Sequence, residues 1–373
     1  MGKTWMRALA GGTAALPAAA AMALEPSRYN MTYGVTPVAH QVHDLHMLVL
    51  AIVTAVGVAV FAVMFYAIFK FRKSTGAVPA KFHENATLEL IWTVIPAIIL
   101  VALAIPATKA MIAVYDHSNP EMTVKVTGYQ WKWQYEYLDS GVNFFSNLKT
   151  TQDEINNLAP KGEHYLLDVD NALVLPVKTK IRFVITATDV LHAWWVPAFG
   201  WKQDAIPGFI NENWAYIEEP GTYRGQCAEL CGRNHGYMPI VVNAVSKEEY
   251  NQWVDAKKAE MAAAADASSK TFSKDELMQK GEQVYNTVCA ACHMADGKGV
   301  PGAFPALAGS KIATGPVADH LQIVVHGKAG TAMQAFGAQL SDADLAAVIT
   351  YERNGFGNNT GDIVQPGDVK AAR

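Results

Sequence analysis

The chain has 373 residues, 51% of them hydrophobic and 17% charged, and a net charge of −4. That length allows two or three domains with sizeable cores, and the apolar excess points towards the membrane class. The slight negative charge, with no basic block to offset it, argues against nucleic acid as a partner.

Residues 1–23 carry Lys3 and Arg7, then an alanine-heavy apolar run ending in Ala21-Met22-Ala23, and read as a secretory signal peptide. Residues 24–120 hold two apolar stretches long enough to cross a bilayer, predicted as helices over about 46–70 and 89–115. Lys70, Arg72, Lys73 and Lys81 lie between them, whereas Arg28 is the one basic residue in 25–45. The positive-inside rule therefore puts the connecting loop in the cytoplasm and both chain ends outside. Glu89 opens the second span, where a carboxylate is stabilised by the helix dipole. His40, His43 and His46 precede the first span and read as interfacial polar residues.

From residue 121 to 250 short β-rich runs alternate with turn residues: Thr123–Thr127, Trp131–Tyr137, Ala172–Pro176, Lys180–Ala187, Asn213–Ile217 and Pro239–Val245. They predict a small antiparallel sandwich or barrel. His192 is expected just after one strand, and a ligand-rich loop joins the last two runs. That loop presents Cys227, Glu229, Cys231, His235 and Met238 in the spacing C-x-E-x-C-x-x-x-H-x-x-M. Thiolate, imidazole and thioether are donors that suit copper; zinc also takes two Cys and two His. Two bridging thiolates would hold two ions close together, with His192 and His235 as terminal ligands. Met238 and the Glu229 carbonyl would be weak axial ligands. Such a set leaves no open position for a substrate, so it reads as a redox relay.

An Ala/Lys/Glu-rich helix from Tyr250 fades towards Lys270 into an Ala/Ser-rich linker, which sets a boundary over 251–272. Residues 273–357 form a mainly helical unit that Ser273 and Glu276 would open with a capping box. The unit contains Cys289-Ala290-Ala291-Cys292-His293, the C-x-x-C-H attachment sequence of c-type haem, in which His293 supplies one axial ligand. Met333 is the candidate sixth ligand, and a Met/His pair raises the haem potential. Met278 is the alternative, since Met294 adjoins His293 and cannot reach the opposite haem face. Ser341 is expected to start a further helix, and 358–373 reads as a tail. The four cysteines thus fall into two cofactor-type pairs and not a disulfide framework. With a haem unit downstream, redox chemistry becomes the shared theme, which copper serves and zinc does not.

These residues resemble subunit II of the bacterial haem–copper cytochrome c oxidases, in the version with a fused cytochrome c domain. The resemblance is carried by Gly128-Tyr129-Gln130-Trp131-Lys132-Trp133-Gln134-Tyr135-Glu136-Tyr137, Asp189-Val190-Leu191-His192-Ala193-Trp194, Asp204-Ala205-Ile206-Pro207-Gly208 and the Cys-rich loop. It implies a two-helix transmembrane hairpin, an all-β cupredoxin-like domain with binuclear copper (CuA), and an all-α class I cytochrome c domain with covalent haem c. It further implies a magnesium ion at the Glu229 carboxylate shared with subunit I, electron entrance at Trp131, and a proton-path entrance at Glu89. Implied partners are subunit I, where oxygen is reduced, subunit III, and a periplasmic cytochrome c or other donor. The implied place is the bacterial inner membrane, with the copper and cytochrome domains on the periplasmic side. A CuA-containing nitric oxide reductase, or a stand-alone membrane-anchored shuttle, would use the same relay. Lys132 departs from the aromatic common in the family, and Trp195 follows Trp194; both bear on how the donor docks.

Overall fold

The structure, a computed structural model, describes residues 30–79 and 81–373; the signal peptide expected over 1–23 lies outside them. Two long helices come first, α1 (Pro37–Lys70, 34 residues) and α2 (Ala86–Val114, 29 residues). At 1.5 Å per residue they run about 51 and 44 Å, more than the roughly 30 Å of a bilayer core. Pro96 and Pro106 sit inside α2 without ending it. Most of both helices is apolar and exposed, as a pair of membrane spans requires.

α1 begins at Pro37, not near residue 46, because tertiary contacts extend it beyond its apolar run. Thr36 caps it, accepting from Ala39 N–H at 3.0 Å while its own hydroxyl donates to the Phe199 carbonyl at 2.8 Å. Val38 and Ala39 are buried there. A Cβ on Gly200 would come within 2.4 Å of the Ala39 backbone, so the helix start and the next domain meet where only glycine fits. Trp214 Nε1 donates to the Ala113 carbonyl at 3.1 Å, tying down the end of α2 as well.

The middle of the chain forms β1 (Met122–Tyr129), β2 (Lys132–Tyr137), β3 (Asn143–Ser146), a short helix α3 (Gln152–Ile155), β4 (Leu173–Pro176), β5 (Lys180–Ala187) and β6 (His192–Trp195). It continues through β7 (Lys202–Ala205), β8 (Asn211–Tyr216), β9 (Gly221–Cys227) and β10 (Pro239–Val245). They pair into two five-stranded sheets, ordered β3-β2-β1-β5-β8 and β4-β10-β9-β6-β7. The expected antiparallel sandwich is in fact mixed, since β1 runs parallel to β5 and β4 parallel to β10. Alternation sets the inward faces: Trp133, Tyr135 and Tyr137 from β2, Ile181, Phe183 and Ile185 from β5. Phe183 stacks 5.2 Å from Trp194 and lies 5.5 Å from Trp201. Phe183→Ala should therefore cost about 3–5 kcal/mol of stability, read as a lower unfolding temperature of this domain.

Ser246 and Glu249 form a capping box that starts α4 (Lys247–Ala267). Tyr250 and Trp253 on its first turns pack against Tyr137 at 6.2 and 5.2 Å. Helices α5 (Lys274–Val284), α6 (Ala290–His293), α7 (Lys311–Thr314), α8 (Val317–His326), α9 (Asp342–Asn354) and α10 (Pro366–Ala372) make the last unit. Ser273 caps α5 with Glu276, and Ser341 caps α9. The helix expected to fade into a linker runs as far as Ala267. The stretch read as a tail contributes Val364 and Val369 to the core beside Leu345, Ile349 and Tyr285. Gln365 grips Phe272 through both backbone groups, at 2.9 Å each. Burial of two valines is what polar residues around them concealed in the sequence.

Candidate metal centre

β9 ends on Cys227, the loop turns through Cys231 and His235, and β10 resumes just after Met238. His192 follows β5, as expected, and itself opens the short strand β6, where it pairs with Ala205 of β7. The sandwich thereby closes a sequence gap of 35 residues: His192 Nδ1 is 3.9 Å from Cys227 Sγ. The two thiols are free and buried, 3.9 Å apart. That is far beyond a disulfide bond of about 2.05 Å. Ions bonded to thiolate at about 2.3 Å could be shared between the two sulphurs. Cys231 Sγ has His235 Nδ1 and Met238 Sδ each at 3.5 Å, and Cys227 Sγ has the Glu229 carbonyl at 3.3 Å.

His192, Cys227 and Cys231 offer donor atoms within 4.8 Å of one another, whereas His235 falls outside that cluster. One imidazole therefore stands at each end of the thiol pair. A single tetrahedral ion would draw all four donors round one centre. The donor set fits two ions with two shared sulphurs.

Protonation agrees with that chemistry. Cys227 is pulled down to about 3, chiefly by its hydrogen bond with Cys231, against burial. The same contact, with burial, pushes Cys231 up, because a second anion beside the first is disfavoured. Cations between the sulphurs would remove that penalty. Burial works to lower His192, but hydrogen bonds to Asp189 and Cys227 prevail and leave it raised.

Asp189 was not singled out as a functional residue in the sequence, although Asp-x-x-His was its signal. Its Oδ1 lies 2.9 Å from His192 Nε2, which leaves Nδ1 to face the thiol, and its Oδ2 accepts Gln130 N–H at 2.7 Å. Carboxylates of this kind fix tautomer and ring orientation. Asp189→Asn should weaken copper binding about 10- to 100-fold, measured by chelator competition, with haem content unchanged. Gln130 Nε2 and Trp131 Nε1 both donate to the Cys231 carbonyl, at 2.8 and 3.1 Å, so Trp131 abuts the ligand loop. Gly128 is required here: a Cβ on it would lie 2.8 Å from the His192 ring. Gly232, at φ +111°, lies where a Cβ would come within 3.0 Å of the Gln130 side chain.

In the last unit Cys289 and Cys292 lie on one helical turn, half-buried and free. His293 Nδ1 meets the Pro305 carbonyl at 2.9 Å, so the ring presents Nε2 outwards. Cys289 and Met333 pack against the same core, which Met278 does not join. Two free thiols, an oriented imidazole and a thioether fit a covalently held haem.

Glu89 lies in the first turn of α2 and is exposed, its Oε1 3.4 Å from Asn85 N–H. That is a capping contact, and it leaves the carboxylate open to a neighbour. His40 stacks on Tyr33 at 4.2 Å and lies 3.6 Å from Glu218, while His46 Nε2 is 2.8 Å from Asn30. Neither belongs to a ligand cluster among the described residues.

Residues 122–245 match the family described as cytochrome c oxidase subunit II, periplasmic domain, and 25–110 match its transmembrane domain. Residues 276–351 match cytochrome c oxidase, cbb3-type, subunit III. A probable cytochrome c oxidase subunit 2 of Rickettsia bellii is 41% identical over 237 residues, 63% of this chain and 87% of that one. The cytochrome c oxidase subunit 2 of Cereibacter sphaeroides is 39% identical over 233 residues, 59% of this chain and 77% of that one. Among solved structures, the periplasmic domain of subunit II of cytochrome oxidase of Bradyrhizobium japonicum is 41% identical, over 38% of this chain and 96% of that one, with a TM-score of 0.34.

Proposed function

Because the chain belongs to the cytochrome c oxidase subunit II family, we propose that it is the subunit through which electrons enter a proton-pumping oxidase, from a periplasmic donor by way of haem c and CuA to subunit I. The family implies copper in the β-domain and haem in the last unit, and partnership with subunit I. When bound, these groups supply reversible one-electron chemistry. What carries the reading is the thiol pair at 3.9 Å, flanked by an imidazole at each end, in a chain that also bears C-x-x-C-H.

The chain's own residues then have distinct tasks. Cys227 and Cys231 would hold both copper ions, with His192, His235, Met238 and the Glu229 carbonyl completing the ligand set. Burial of both thiols keeps water from the sulphurs, and the two sheets fix the ligand positions, so little has to rearrange when charge changes. Cys289 and Cys292 would anchor haem covalently, while His293 and Met333 would hold its iron. Trp131 lies on the route between the two, hydrogen-bonded to the Cys231 carbonyl. The Glu229 carboxylate would hold magnesium with further ligands from subunit I. Glu89 would serve a proton path into subunit I. With both spans in the bacterial inner membrane, the copper and cytochrome units face the periplasm; subunit III completes the complex.

Metal and haem analysis of the isolated complex, with its turnover on oxygen, tests this. Copper at two per chain, one covalent haem and oxygen consumption are expected. Turnover on nitric oxide without oxygen consumption would assign the relay to a nitric oxide reductase, and purification without a haem-bearing membrane partner would make it a shuttle.

A further inference from the structure

The last unit touches the β-domain through a small, specific set of side chains next to Met333. Gln334 Nε2 donates to the Gln130 carbonyl at 2.7 Å and approaches Asp189 Oδ2 at 3.3 Å. Asp189 therefore has one oxygen against His192 and the other against the residue following Met333. Lys132 lies between two rings, its ammonium 5.2 Å from the centre of Phe145 in the β-domain and 4.9 Å from that of Phe336 in the last unit. It is 7% exposed although it carries a charge. A lysine ammonium is rarely buried without partners, and aromatic faces are partners of the right polarity. One of its two rings belongs to the other unit, so its burial depends on the two being in contact. This gives the departure at Lys132 a physical role.

We propose that the Met333–Phe336 segment is a docking latch that seats the cytochrome unit on the face built by Gln130, Lys132 and Asp189. The partner fitted by this face is thus the chain's own cytochrome unit. Phe336 covers the ammonium, Gln334 joins two backbone and side-chain acceptors of the sandwich, and the contact sets Met333 beside the residues that orient His192. The latch gives the relay its geometry and takes its purpose from that reading, but it is observable without electron flow.

Acylation of amines in the intact, cofactor-loaded complex, read by peptide mass spectrometry, tests it. Lys298, whose side chain is 77% exposed and pairs with Asp296 at the surface at 3.1 Å, is the exposed reference. If the latch is closed about 90% of the time, Lys132 should react about tenfold more slowly than its exposed counterpart. Gln334→Ala and Phe336→Leu should each raise Lys132 labelling severalfold, with Lys125 labelling and haem content unchanged. Lys132 reacting as fast as Lys298 in the unaltered complex would overturn docking. Protection that persists in both variants would overturn the latch. Should Phe336→Leu lose haem, Gln334→Ala alone decides, because its side chain lies at the contact and not in the core. Oxygen turnover alongside fast Lys132 labelling would sink the latch and leave the relay standing.

Discussion

A Cys227→Ser chain is expected to lose its paired copper and keep its covalent haem. The thiol is 6% exposed and has three neighbours within 3.9 Å: Cys231, His192 and the Glu229 carbonyl. Serine keeps the size but exchanges a soft, readily ionised sulphur for a hard hydroxyl that stays protonated at neutral pH. With Cys227 in the proposed bridging role, one substitution would remove a bond to each of two ions, so the loss should be larger than for an outer residue. Because removal of an orienting partner alone costs about 10- to 100-fold in affinity, the expected fall exceeds about 100-fold. Copper stoichiometry and the mixed-valence resonance measure it; survival of both would end the bridging assignment. Haem should persist because Cys289 packs against a separate core, with Cys292 on the same helical turn.

Met333→Leu is the second large effect. Leucine is close to methionine in volume and should cost less than about 1.5 kcal/mol in packing, so the unit stays folded. With Met333 in the proposed role of sixth ligand, the substitution would remove the thioether that, with histidine, raises the haem potential. Axial ligands span about 0.8 V in all, and a fall on the order of 0.1 V is expected in a redox titration. The donor would then reduce the haem less readily, and oxygen turnover would fall with it. An unchanged titration would move the ligand role to another residue, Met278 being the sequence alternative.

What could be read from the chain was local. Apolar runs announce α1 and α2, an Ala/Lys/Glu-rich stretch announces α4, Ser273 with Glu276 announces α5, and C-x-x-C-H needs no fold to be recognised. The copper donors were legible because most lie within one loop; His192 was added through its own motif. Strands β3, β6, β7 and β9 were missed, being short or, in β9, glycine-flanked and only partly buried. Their existence depends on pairing across the sandwich, which local propensity does not encode. Asp189 and Gln334 escaped for a similar reason: their partners lie far along the chain, 59 residues away for the Asp189–Gln130 bond and 204 for the Gln334–Gln130 bond. The helix start at Pro37 and the packed end of the chain were likewise set by contacts and not by composition.

Helix α4 carries a consequence of its own. It is anchored at its first turns by Tyr250 and Trp253, runs 21 residues, and ends a few residues before Phe272, which Gln365 clamps. Such a rod transmits torsion as well as length. Inserting one residue in it turns everything beyond by about 100°, while inserting seven adds about 10 Å and restores the angle to within about 20°. The orientation of the cytochrome unit should therefore vary periodically with insert length, where a slack tether would give a smooth decline. The number of residues in α4 thus sets the heading on which the chain leaves the β-domain, before residues 268–273, outside any helix, lead into the last unit.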